Sequence, residues 1–342
     1  MLCKMGKLKS LLKDVHTMPA KPLLLPPALK KGDTIGIVSP GRWMPADELA
    51  MTASRLQKMG YEVYVHPQNA TQHHQYAGNM EQRADAIEDM FHDPEIDAIV
   101  CAKGGTGSLW LLDILDYELI ARHPKIFCGF SDITALLNGI HKKTGLVTFH
   151  GPMLHNLRPT KPDALTWGHW EGVLSGDMTP LVLTKAEHAI SPYISGTATG
   201  RLVGGNLCLL SHLIGTATDF NTDGCILFIE DECEALYSID RFILHLKRAG
   251  KLDKIKGLIV GEFTDIPPAT IPYGFSIEEM VHDALGDMDI PVVTNVPCGH
   301  GKTIITLPVG AEVELGVDPD AMTLRLTEPV VRKALAQTRA AG

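Results

Sequence analysis

Lys125-Ile126-Phe127-Cys128-Gly129-Phe130-Ser131-Asp132-Ile133 passes from an apolar run through a turn and straight into a helical pattern. Ile133, Leu136, Leu137 and Ile140 recur at offsets of three, four and seven, which places them on one helix face suited to burial against a sheet. The segment therefore reads as strand, sharp turn and helix, with Ser131 at the bend. A serine there stands beside the unpaired amides of a first helical turn and the positive end of its dipole, where an acyl-transfer nucleophile is served best. The same residues also allow Ser131 to be only an N-cap, and the turn lacks the second glycine of a G-x-S-x-G elbow.

Upstream, the pattern alternates. Thr34 to Ser39, Tyr61 to His66 and Ala98 to Ala102 read as strands; Ala46 to Met59, Met80 to Phe91 and Ser108 to Leu115 read as helices. Such alternation predicts an α/β fold with a parallel sheet covered on both faces, whose ligands gather at the carboxyl ends of the strands. Ser39-Pro40-Gly41, Gly104-Gly105 and Ser131 all fall at such ends. After Gly151-Pro152 the texture shifts to a stretch with Pro159, Pro162, Trp167 and Trp170 that reads as a connection. Beyond it, Cys225 to Ile229, Leu258 to Gly261, Pro291 to Asn295, Glu312 to Leu315 and Met322 to Leu326 are strand-like, with a helix carrying Ile239, Phe242, Ile243 and Leu246. The expected layout is an extension over 1–28, an N-terminal α/β domain over 29–158, a connection over 159–195, a smaller β-rich α/β domain over 196–332, and a tail over 333–342.

Composition narrows the function. With 45% hydrophobic and 21% charged residues in 342, the chain has ordinary globular composition and material for a sizeable core. A formal charge of −9 argues against a non-specific nucleic-acid binder, because neutralising phosphates takes clustered Lys and Arg. The one basic concentration, Lys4, Lys7, Lys9 and Lys13, lies among apolar groups too short for a signal core or a membrane span, so a cytoplasmic protein without stable membrane association is expected. Seven scattered cysteines with no C-x-x-C pair indicate neither a disulfide framework nor a cysteine zinc site. His73 and His74, adjacent in sequence, point to different sides and do not combine with His66 into ligand spacing, so no metal and no cofactor is expected.

Three further segments carry possible chemistry. Lys103-Gly104-Gly105-Thr106-Gly107-Ser108 follows a strand and allows close backbone approach; it fits neither dinucleotide nor P-loop spacing, and in a hydrolase it would offer a second oxyanion donor facing Ser131. The apolar strand Ile226 to Ile229 ends in Glu230 and Asp231, with Glu232 and Glu234 also readable as an acidic helix start. Pro297-Cys298-Gly299-His300-Gly301 sets one histidine between glycines at a strand end, a plausible base near its working pKa.

Taken in order, Lys103 to Gly107, Gly129 to Leu136, Thr148 to Met153, Gly204-Gly205-Asn206-Leu207, Phe228 to Asp231 and Pro297 to Gly301 resemble the LD-carboxypeptidase family, which includes muramoyltetrapeptide carboxypeptidases and microcin C resistance hydrolases. The resemblance runs from about Leu29 to about Pro329. It implies a flavodoxin-like or amidotransferase-like N-terminal domain that supplies the nucleophile, a C-terminal domain that supplies Glu and His, and an active site at their interface. Residue by residue it implies Ser131 as nucleophile, His300 as base and then acid, Glu230 as its orienting carboxylate, and the backbone N–H groups of Gly105 and Asp132 as oxyanion donors, with Gly104 and Thr106 beside the substrate. It further implies a muropeptide substrate, loss of a C-terminal D-alanine, and a homodimer. Lys103-Gly104-Gly105-Thr106-Gly107 departs from the family's usual Arg-Gly-Gly-Tyr-Gly, which bears on substrate choice. Two alternatives stand beside this reading: a microcin-type hydrolase of an aminoacyl-nucleotide analogue, and a two-domain binding protein that uses the cleft without covalent chemistry.

Overall fold

Strands β1 (Thr34–Val38), β2 (Glu62–Val65), β3 (Ala98–Cys101), β4 (Ile126–Gly129) and β5 (Thr148–His150) pair in parallel in the order β2-β1-β3-β4-β5. In this computed structural model the described residues are 22–158 and 163–333, so most of the expected extension and tail, and residues 159–162, lie outside them. β3, β4 and β5 are buried at every position because helices cover both faces, which is why their sequences are continuous apolar runs rather than alternating ones. This is the flavodoxin-like strand order, with its chain reversal between β1 and β3, the place where such sheets hold ligands.

The downstream half adds β6 (Leu181–Thr184), β7 (Ser191–Ile194), β8 (Gly196–Asn206), β9 (Ile226–Glu232), β10 (Gly257–Thr264), β11 (Val292–Val296), β12 (Leu307–Val309), β13 (Glu312–Asp318) and β14 (Ala321–Leu326). Eight of these form one mixed sheet, β6-β14-β13-β8-β9-β10-β11-β7, in which β8 to β11 run parallel and the flanking strands antiparallel. β13 alternates buried and half-buried residues, as a sheet with one wetter face should. β12 leaves its own half. It pairs antiparallel with β5, Leu307 opposite His150 and Val309 opposite Thr148, and so becomes the edge of the upstream sheet, where Pro308 is tolerated.

Two regions differ from the sequence reading. The helix expected over Ser108 to Leu115 is a single 3₁₀ turn, Ser108–Leu111, followed by a separate helix Tyr117–Arg122. The carbonyl of Leu112 accepts the Tyr117 hydroxyl at 2.7 Å, and the Asp116 carboxylate accepts the Leu119 amide at 2.9 Å, so the chain stops and restarts one turn later. The stretch read as a connection is also structured. Asp163 caps the helix Ala164–Ser175, whose Trp170 is fully buried edge-on to Tyr61, and β6 and β7 form the two margins of the larger sheet.

Candidate active site

At the end of β4 the chain turns through Ser131 with φ of +63°, a left-handed conformation uncommon for a residue with a Cβ. A 3₁₀ turn Ser131–Ile133 leads into the helix Thr134–Thr144, and the serine side chain caps neither element, which removes the N-cap reading. Gly104, from the loop after β3, lies against it: a Cβ there would stand 3.1 Å from Ser131 Cβ and 3.3 Å from Oγ. Gly105 next to it has φ of +109°, which a glycine adopts without strain. The loop is held from below by Asp132, whose Oδ2 accepts the Ser108 amide at 3.0 Å, and by buried Arg83, which donates to the carbonyls of Gly107 at 3.0 Å and Pro40 at 2.5 Å. Burial pushes the Asp132 carboxyl up, against the bonds from Ser108 and the charge of Arg83.

From the other half, β9 carries Glu230, which is fully buried, and the loop after β11 carries His300. His300 Nδ1 lies 2.7 Å from Glu230 Oε2. Glu232 Oε1 is 3.2 Å from His300 Nε2 but off the hydrogen-bonding direction, so Nε2 is left without a hydrogen-bond partner. Burial disfavours the imidazolium, yet the hydrogen bond and charge of Glu230, with Glu232 and Asp231 behind it, prevail and raise the His300 pKa above the ordinary 6.5. Asp231 itself is pushed up to about 7, by burial first and by Glu230 second, although Asn206 Nδ2 and the Cys208 amide donate to it at 2.8 and 2.9 Å.

The His300 loop is braced from the upstream half. His150 of β5 meets the Cys298 carbonyl through Nε2 at 2.6 Å; Thr166 Oγ1 accepts the Ile304 amide at 2.8 Å, and His169 Nδ1 accepts the Thr306 amide at 3.0 Å. Burial lowers the pKa of both His150 and His169, the latter to about 4, so both serve as neutral hydrogen-bonding groups. Beneath the loop, Glu262 of β10 fills the space that a Cβ on Gly301 would take, and burial raises its pKa.

Ser131 and His300 open on one cleft of about 490 Å³, with Phe130 packed against the His300 ring at a centroid distance of 4.8 Å. Of the other expected site residues, Gly104 and Gly105 line this cleft; Asp132 and Thr106 do not, because the Asp132 carboxylate turns back to Ser108 and Thr106 packs its carbonyl towards Gly41. Ser131 Oγ and His300 Nε2 share the cleft without a hydrogen bond between them. The sequence reading did not assign Arg42, Met153, His155, Trp167 or Lys302 to a site, yet all line it. They come from four separate segments, and no local spacing marks them. Cys128 and Cys298 are fully buried, with the Cys128 thiol pushed up to about 12, so they pack rather than react. His66 accepts the Gln68 amide and meets Asp89 rather than converging with His73 and His74.

Comparison with known proteins identifies a family. The LD-carboxypeptidase N-terminal domain profile matches residues 35–151 and the C-terminal domain profile residues 199–315. A probable murein peptide carboxypeptidase of Bacillus subtilis is 36% identical over 293 residues, 85% of this chain and 91% of that one. The crystal structure of muramoyltetrapeptide carboxypeptidase from Oxalobacter formigenes superposes with a TM-score of 0.77 at 30% identity, covering 86% of this chain and 99% of that one. Microcin C7 self-immunity protein MccF, in complex with aspartyl sulfamoyl adenosine, superposes at 0.82 with 26% identity, covering 90% and 100%.

Proposed function

The chain belongs to the LD-carboxypeptidase family, and from that premise we propose that it is a serine L,D-carboxypeptidase that removes the C-terminal D-alanine from muropeptide tetrapeptides in peptidoglycan recycling. Ser131 attacks the carbonyl of the L-configured centre as His300 Nε2 takes the hydroxyl proton. His300 then returns that proton to the departing amine, D-alanine leaves, and water hydrolyses the acyl-enzyme by the same route. Glu230 fixes the tautomer in which Nδ1 carries hydrogen and stabilises the imidazolium that forms. The amides of Gly105 and Asp132 receive the oxyanion. The observation that carries this reading is the buried Glu230–His300 pair at 2.7 Å, with its free Nε2 beside the cleft that Ser131 opens on.

The reading extends to a cytoplasmic homodimer. Six cysteines of the described residues are free, as a reducing compartment allows, and no described helix is long and apolar enough to cross a membrane. One feature favours the nucleotide-type alternative: Trp167 lines the cleft, edge-on to Trp170, and could cover a base. Assaying the enzyme in parallel on L-Ala-D-Glu-meso-diaminopimelate-D-Ala and on aspartyl sulfamoyl adenosine decides between them. Release of D-alanine is expected; cleavage of the adenosine conjugate alone would reverse the assignment.

Only neutral His300 can accept the serine proton, so kcat/KM should fall as pH drops through its raised pKa, placing the acidic limb above 6.5. The contribution of the His300–Glu230 pair to folding runs the other way, complete below the unfolded value and lost as pH rises through the folded one. Asp231 titrates in the same range, so Asp231→Asn serves as the control. The limb should survive that substitution; a limb that vanishes with it, or a flat profile in the wild type, would remove His300 as the base.

A further inference from the structure

The cleft wall carries four cations, Arg42, Lys103, Arg158 and Lys302, and two acids, Asp163 and Glu232. Three of these six are already engaged. Glu48 takes the Arg158 guanidinium, Asp163 caps its helix through the Thr166 amide at 3.0 Å and hydroxyl at 2.7 Å, and Glu232 stands against His300. Arg42, Lys103 and Lys302 form no ion pair among the described residues, and cations outnumber acids on the cleft wall by four to two.

Arg42 packs across the loop that abuts the nucleophile. Its amide donates to the Gly104 carbonyl at 3.1 Å, and its stem crosses Gly105 so closely that a Cβ there would lie 2.6 Å from both its Cγ and Cδ. Gly104 in turn abuts Ser131. Nucleophile, Gly104, Gly105 and the Arg42 stem thus follow one another in contact. In an exopeptidase substrate the free carboxylate is separated from the scissile nitrogen by a single α-carbon, a span of about 2.5 Å. A charge that selects chain ends therefore has to sit one residue from the nucleophile; the Arg42 stem crosses the loop that abuts Ser131 and the residue lines the same cleft, and guanidinium matches carboxylate with two parallel hydrogen bonds.

Resting on the carboxypeptidase reading, we infer that Arg42 binds the free C-terminal carboxylate of the substrate and is the residue that restricts cleavage to the last amide of the chain. Lys103 and Lys302 add to the field that draws an acidic peptide into the cleft. The terminal carboxylate does not change during acylation, so Arg42 contributes equally to ground and transition states and acts on KM more than on kcat.

The test compares the tetrapeptide ending in free D-alanine with the same peptide ending in D-alanine amide, on the wild type, on Arg42→Gln, which keeps a stem across Gly105, and on Arg42→Ala. The wild type should prefer the free acid by about 10- to 100-fold in kcat/KM, mostly through KM, the range of a charged hydrogen-bonded contact. In both variants that ratio should fall towards one. Variants that keep the wild-type preference would overturn the role of Arg42 while leaving the carboxypeptidase reading intact. A wild type that cleaves neither peptide would overturn that reading and this inference with it. Arg42 is exposed, and unchanged thermal unfolding of Arg42→Gln would tie the effect to the contact.

Discussion

Ser131→Ala is expected to lower kcat for D-alanine release by about 10⁴- to 10⁶-fold, the cost of removing the nucleophile from a Ser-His-acid arrangement. The substitution takes away one oxygen and leaves the Cβ, so the left-handed turn at φ of +63° carries the same strain in either protein. Asp132, Ser108 and Arg83, which hold the neighbouring loop, are untouched. Tetrapeptide binding and the thermal midpoint should therefore persist while turnover disappears, and a serine-directed phosphonate should label the wild type alone. Residual release within tenfold of wild type would show that another group attacks the peptide.

Glu230→Gln should reduce kcat by about 10³- to 10⁴-fold, on the scale seen when the orienting acid of a triad becomes an amide. Two separate effects contribute. The amide no longer stabilises the imidazolium, and it can present N–H rather than oxygen to Nδ1 and so favour the wrong tautomer. The residual activity should show its acidic limb at lower pH, because the largest attraction that raises His300 has gone. Folding should tolerate the change: Glu230 is fully buried, its Oε1 has no hydrogen-bond partner, and its charge helps to push Asp231 and Glu262 up. A variant with the wild-type limb but low kcat would mean that Glu230 only places the ring.

The strand–turn–helix at Ser131 was legible because the apolar period switches from continuous to helical within a few residues, and the carboxylate Glu230 near the end of β9 was legible because an apolar run stops at it. His300 stood out through its flanking glycines. The oxyanion roles proposed for Gly105 and Asp132 rest on the family resemblance, to which the pattern adds a glycine loop at a strand end facing Ser131. Other features have no local signature. β12 looks like any short apolar run, and its partner strand is chosen by what edge the finished sheet leaves open. Arg42 and Trp167 reach the cleft only once their segments converge. The helix misread over Ser108 to Leu115 was decided by a tyrosine hydroxyl and an aspartate cap, both outside the hydrophobic pattern.

β12 also bears on how the protein is made. The sheet that presents Ser131 has its first five strands by residue 150, but the strand that covers β5 lies past residue 306 and emerges on the order of ten seconds later at ordinary rates of translation. During that interval β5 is an exposed edge able to pair with a neighbouring nascent chain. A premature stop in the downstream half ahead of residue 300 therefore yields more than an enzyme without His300. It leaves the upstream sheet unfinished, with a sticky margin that quality control has to recognise.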